Sequence, residues 1–94
     1  MIVREFHIPV MFKTEIEVGV TAKLLGLLLH SDGRIHIQFL DEADQIQGTR
    51  KRKFHVISSS WNTNHNWSYV GSVFYLTAWH VFEELDDNSQ DNSN

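Results

Sequence analysis

The sequence predicts an all-β fold, a small antiparallel β-sandwich or partly open barrel of about 6–7 strands. Three observations predict it: hydrophobic residues recur with period 2, turn signals recur at short intervals, and no segment sustains a helical period. A chain of 94 residues holds one domain with a small core.

Taken in order, Phe6 and Ile8 alternate with Glu5 and His7, and Ile16 and Val18 alternate with Glu15 and Glu17. These are two half-buried strands, with Pro9 and the Met11-Phe12-Lys13 segment turning the chain between them. The run AKLLGLLLH from Ala22 to His30 is rich in a good helix former, but Gly26 interrupts it and the SDGR turn follows directly. Leu24 to Leu29 is therefore expected to be a strand buried on both faces. Its partner is Arg34 to Leu40, where Ile35, Ile37 and Phe39 share one face. DEADQIQGT is a polar loop, in which Asp41, Glu42 and Asp44, like Asp32 before them, read as turn residues. RKRKFHVISS gives a fifth strand and SSWNTNHNW a loop. The final segment supplies two strands around a break near Leu76 to Ala78, with Gly71 marking a bulge. Residues 1–83 form the domain, and 84–94 are expected to be a disordered acidic tail.

Composition closes off several function classes. Hydrophobic residues make up 41% and charged residues 21%, ordinary globular values that exclude wholesale disorder. The absence of cysteine excludes disulfides, thiolate metal sites and cysteine nucleophiles. No apolar run is long enough to span a bilayer, and Arg4, Glu5 and His7 interrupt any signal-peptide core, so no membrane partner is expected. The net charge of −4 is unevenly placed. Five of the 12 acidic residues lie in residues 83–94, so seven remain in the body against eight Lys and Arg. Half of those bases form the tetrad Arg50-Lys51-Arg52-Lys53. A body so nearly neutral makes long nucleic acid an unfavourable partner.

No catalytic set and no metal site is expected. The six histidines are scattered, with His7, His36, His55 and His80 on different strands at solvent-facing positions, and no HExxH motif is present. Ser58, Ser59 and Ser60 lack the glycines of a nucleophile elbow. The tetrad is the chemical lead. Strand alternation puts Arg50 and Arg52 with Phe54 and Val56 on one face, and Lys51, Lys53 and His55 on the other. Arg50, Arg52, Lys53 and His55, with Trp61 and Trp67 for stacking, would suit a small phosphorylated ligand bearing a ring. The plainer alternative is an edge strand guarded against aggregation by its charges. Trp79, His80 and Phe82 form aromatic surface suited to a homo-oligomer interface.

The succession REFHIPV, TEIEV, AKLLGLLLHSDGRIHIQF, TRKRKFHVISS, YVGSV and WHVFE resembles a family of short, about 90-residue, all-β bacteriophage proteins over residues 4–83. YVGSV and HVFE are its most specific parts. Ser58 to Ser60 depart from the family's Thr-Gly, and the tryptophan-rich loop is this chain's own. The resemblance implies a phage accessory protein in the host cytoplasm. Such a protein would act by binding, as an inhibitor or sequestering protein directed at a host defence component or its nucleotide signal. The alternatives are a structural or assembly protein of the phage particle and a nucleic-acid-binding module.

Overall fold

A computed structural model describes residues 1–58, 63 and 66–85. Seven strands follow the expected alternation: β1 (Ile2–His7), β2 (Lys13–Gly19), β3 (Lys23–Leu29), β4 (Ile35–Asp41), β5 (Thr49–Ser58), β6 (Trp67–Tyr75) and β7 (Thr77–Glu84). Every pairing is antiparallel, in a three-stranded sheet β1-β4-β3 and a four-stranded sheet β2-β5-β7-β6. The fold is an open sandwich and not a closed barrel. Among the described residues no helix is long and apolar enough to cross a membrane. The domain boundary expected at residue 83 falls inside β7, and residues 86–94 of the tail lie outside the described residues.

The period-2 pattern becomes the core. On β4, Ile35, Ile37 and Phe39 are buried at alternate positions. They meet Ile16 and Val18 of β2, Phe54 and Val56 of β5 and Val81 of β7 from the opposite sheet. Phe39 touches Phe54 edge-on at 5.9 Å between centroids and Phe6 at 6.1 Å. Complete burial of a Phe ring contributes about 3 kcal/mol at most, and of these two contacts Phe39–Phe54 is the one that joins the sheets. The Asp32-Gly33 turn closes the β3–β4 hairpin with Gly33 at φ 92°, a conformation that favours glycine. β6 carries the bulge expected at Gly71, and its register shifts between Tyr69 and Gly71.

Three sequence readings are corrected. β3 is not buried on both faces: Leu25 and Leu28 are exposed, because a sandwich of two sheets covers only one face of each, and β3 also lies at the edge of its sheet in the order β1-β4-β3. β5 is not an edge strand but lies between β2 and β7. Asp41 is not an exposed turn residue. It ends β4 on the inward-facing side and is fully buried.

That carboxylate is surrounded by donors. Oδ2 accepts from the Gly19 amide at 3.0 Å, Arg4 Nε at 2.9 Å and Gln45 Nε2 at 2.8 Å, while Oδ1 accepts from the Glu42 amide at 2.8 Å. Arg4 also donates to the carbonyls of Glu42 and Ala43. Asp41 thus ties β1 and β4 of one sheet to the end of β2 in the other. Gly19 is required there, because a Cβ would collide with Asp41 Oδ1. The Gly19 amide, then Gln45, Glu42 and Arg4, outweigh burial and hold the Asp41 carboxyl at about 2, below its ordinary 3.8.

A depressed carboxyl stabilises the fold above its unfolded pKa, and that contribution is lost as pH falls through the folded value. The melting temperature, followed by circular dichroism, should therefore fall between pH 3.8 and about 2. Asp41→Asn should lower it by roughly 10 °C at neutral pH and make the acid fall shallower. Gly19→Ala should destabilise at neutral pH by steric displacement of the same carboxylate.

Candidate functional site

β5 is longer than its neighbour β7, and this mismatch builds the site. β2 pairs with β5 from Thr49 to His55, but β7 pairs only from Lys53 onward, where Lys53 opposes Glu84. Thr49–Arg52 therefore have no strand partner on the β7 side among the described residues. A groove of about 750 Å³ runs along this overhang, lined by Arg50, Lys51, Arg52, Lys53, Glu15, Glu83, Glu84 and Leu85. The edge-strand reading thus holds only for this overhanging half of an interior strand.

The alternation splits the tetrad between two faces, but the fate of each cation follows its position along β5. Arg52 turns inward with Phe54, and its guanidinium forms a two-point pair with Glu83 at 2.6 and 2.7 Å. Its Cζ lies 5.0 Å from the Phe39 centroid and 5.9 Å from that of Phe54. With 10% of its side chain exposed, it is a structural cation and not part of an anion-binding rim. Glu83, counted with the tail by charge alone, belongs to the sheet and neutralises it. The side chains of Arg50 and Lys51 remain exposed, with no hydrogen bond or ion pair among the described residues.

On the outer face, Lys53, His55 and Trp67 are brought together by the rows Lys13–His55–Phe82–Tyr69 and Glu15–Lys53–Glu84–Trp67. Glu84 is the hub. It lies 2.9 Å from His55 Nε2, 3.8 Å from Lys53 Nζ and 3.9 Å from Lys13 Nζ. The His55 hydrogen bond, with the two lysine charges adding, holds the Glu84 carboxyl below its ordinary value against the opposing effect of burial. The His55 ring stacks on Trp67 at 3.9 Å and 17°, so one indole face is already occupied. Trp61 lies outside the described residues.

The expected interface triplet does not form one patch. Trp79 points inward, packs against the core and donates Nε1–H to the Tyr75 carbonyl at 3.2 Å. His80 and Phe82 alternate with the buried Val81 and so take the outer face. Phe82 meets Trp67 and Tyr69 there, while Ser72 Oγ lies 2.7 Å from His80 Nδ1 and 2.5 Å from the Tyr69 hydroxyl. Sequence reading missed this hydroxyl–imidazole chain because the β6 bulge sets the cross-strand register.

A family model described as Domain of unknown function (DUF7352) matches residues 1–92. The chain belongs to the DUF7352 family. Comparison with curated proteins finds no match, and neither does comparison with solved structures.

This DUF7352 chain also gathers histidines that sequence reading left scattered. On the outer face of the three-stranded sheet, Glu5 Oε2 lies 2.9 Å from His30 Nε2 and 2.8 Å from His36 Nδ1. Glu5, His30 and His36 are the metal-capable group among the described residues. His7 opposes His36 in the β1–β4 register, with 5.5 Å between ring centroids. Hydrogen bonds from Gln38 first and His30 second keep the Glu5 carboxyl below its ordinary value. Burial first, and then the His30 charge, lower the pKa of His36. The His36↔His7 opposition follows from antiparallel alternation, but the approach of His30 depends on hairpin geometry.

If Arg52 is structural, breaking its pair strands a carboxylate inside the mouth of the sandwich. Arg52→Ala should cost about 3 kcal/mol in urea unfolding, and Arg52→Lys should recover part of that by keeping charge without the planar fork. The double substitution Arg52→Met with Glu83→Leu should restore most of the stability. A double variant as unstable as the single one would overturn the assignment.

Proposed function

We propose that this chain works by binding, as a small bacteriophage accessory protein that inhibits or sequesters a component of the host cytoplasm. Its ligand is an acidic, extended segment of a partner protein laid along the open edge of β5. The overhang carries this reading: among the described residues Thr49–Arg52 lack a partner on the β7 side, and Arg50 and Lys51 stand exposed beside a groove. An added strand would meet free backbone donors and acceptors there, with two cations for its carboxylates. The phage assignment is supported by YVGSV and HVFE. A ring-bearing phosphorylated ligand is served less well, because Arg52 is committed to Glu83 and one face of Trp67 to His55. The residues after Leu85, with Asp86, Asp87 and Asp91, carry the charge that would compete for the same edge.

The test is fluorescence anisotropy with a labelled peptide of alternating Glu and Val. Binding should weaken with salt, as expected for exposed charges. Arg50→Glu with Lys51→Glu should weaken it by about tenfold or more without changing the melting temperature. Neutralising Asp86, Asp87 and Asp91 to Asn should strengthen it. Absence of peptide binding, with a thermal shift produced by an adenosine-containing nucleotide, would favour sequestration of a small signal. A large self-assembly by light scattering with no ligand response would favour a role in the phage particle.

A further inference from the structure

We propose that Glu5, His30 and His36 bind a divalent first-row transition metal, with Zn²⁺ the best match and water completing the coordination. The three side chains come from β1, the β3 end of the β3–β4 hairpin, and β4. Because β4 lies between β1 and β3, all three reach the same outer face. The hairpin fixes His30 through hydrogen bonds from its amide to the Arg34 carbonyl and from the Gly33 amide to its own carbonyl, both 2.9 Å.

One carboxylate and two imidazoles form a donor set suited to zinc, copper, nickel or iron, and poor in the oxygen ligands that magnesium and calcium require. Their ligand atoms all lie within 4.8 Å of one another. Zinc bonds of about 2.0–2.1 Å in a tetrahedron place donor atoms roughly 3.3 Å apart, so the 2.8 and 2.9 Å contacts need only a small outward adjustment.

A hydrogen-bonded His–Glu–His cluster accounts for only half of this geometry. His30 bonds Glu5 Oε2, but both ring nitrogens of His36 are buried without a hydrogen-bond partner among the described residues, despite the proximity of Nδ1 to the same oxygen. A buried imidazole in that state bears a desolvation cost that a metal on Nδ1 would offset. The other carboxylate oxygen, Oε1, accepts from Gln38 Nε2 at 3.0 Å, the kind of outer contact that orients a metal ligand. Glu5 and His30 side chains are 32% and 39% exposed, which leaves the metal open to water on its solvent side.

The experiment is calorimetric titration of the untagged, chelator-stripped full chain with Zn²⁺. One saturable micromolar or tighter site is expected, with no heat from Mg²⁺. Co²⁺ should give the visible absorption of a low-coordinate site. Glu5→Gln, His30→Ala and His36→Ala should each weaken Zn²⁺ binding by about tenfold or more, whereas His55→Ala and His80→Ala should leave it unchanged. Thermal melts of the metal-free variants establish folding, and the near-isosteric Glu5→Gln carries the test if a histidine variant fails to fold. No saturable binding, or an affinity unchanged in Glu5→Gln, would overturn the site. Either result leaves the β5 edge reading standing, because that edge belongs to the other sheet.

Discussion

A single buried carboxylate closes this sandwich. Among the described residues its sheets share no backbone ladder, so apolar contact and a few side-chain ties must set how they face each other. Contact between Ile, Val and Phe is nondirectional and would tolerate sliding. Asp41 is not tolerant, because its four donors come from β1, the end of β2 and the loop that leads to β5, and each would be left unsatisfied by displacement. Gly19 permits the approach that makes this possible. The loop that sets the start of β5 is thereby fixed to the core, and so is the position of the overhang.

At the same end of β5, Arg52 and Glu83 form a second polar closure. The guanidinium lies over the rings of Phe39 and Phe54 while pairing with the carboxylate, and so separates the apolar interior from the groove outside. The basic tetrad therefore yields two kinds of cation, divided by position along β5 and not by face, since Arg52 and Lys53 lie against Glu83 and Glu84 of β7 while Arg50 and Lys51 lie beyond its end. The inward arginine is spent on the fold, and the charges left exposed are Arg50 and Lys51.

Much of the architecture was legible because antiparallel strands with one wet face write their period directly into the sequence. Ile35, Ile37 and Phe39 announced β4, the DG turn announced its hairpin, and Gly71 announced a bulge. β3 departs from that pattern: leucine on both faces of a strand signals burial, whereas Leu25 and Leu28 are exposed because the two-sheet sandwich covers only one face. Trp79, His80 and Phe82 were misread as one patch although their own alternation separates Trp79 and His80. Asp41 looked like its neighbours in an acidic loop, since nothing local distinguishes a turn carboxylate from one whose donors lie 22 and 37 residues away.

By itself the sequence determined the all-β class, the strands and their inward faces, because those depend on local alternation and turn chemistry. It also determined where positive charge is concentrated. Only the tertiary structure decided which strands lie at sheet edges, that Arg52 is captured by Glu83, and that Glu5, His30 and His36 meet. Those outcomes depend on strand order and register, set by contacts between residues far apart in the chain, and local pattern does not encode them.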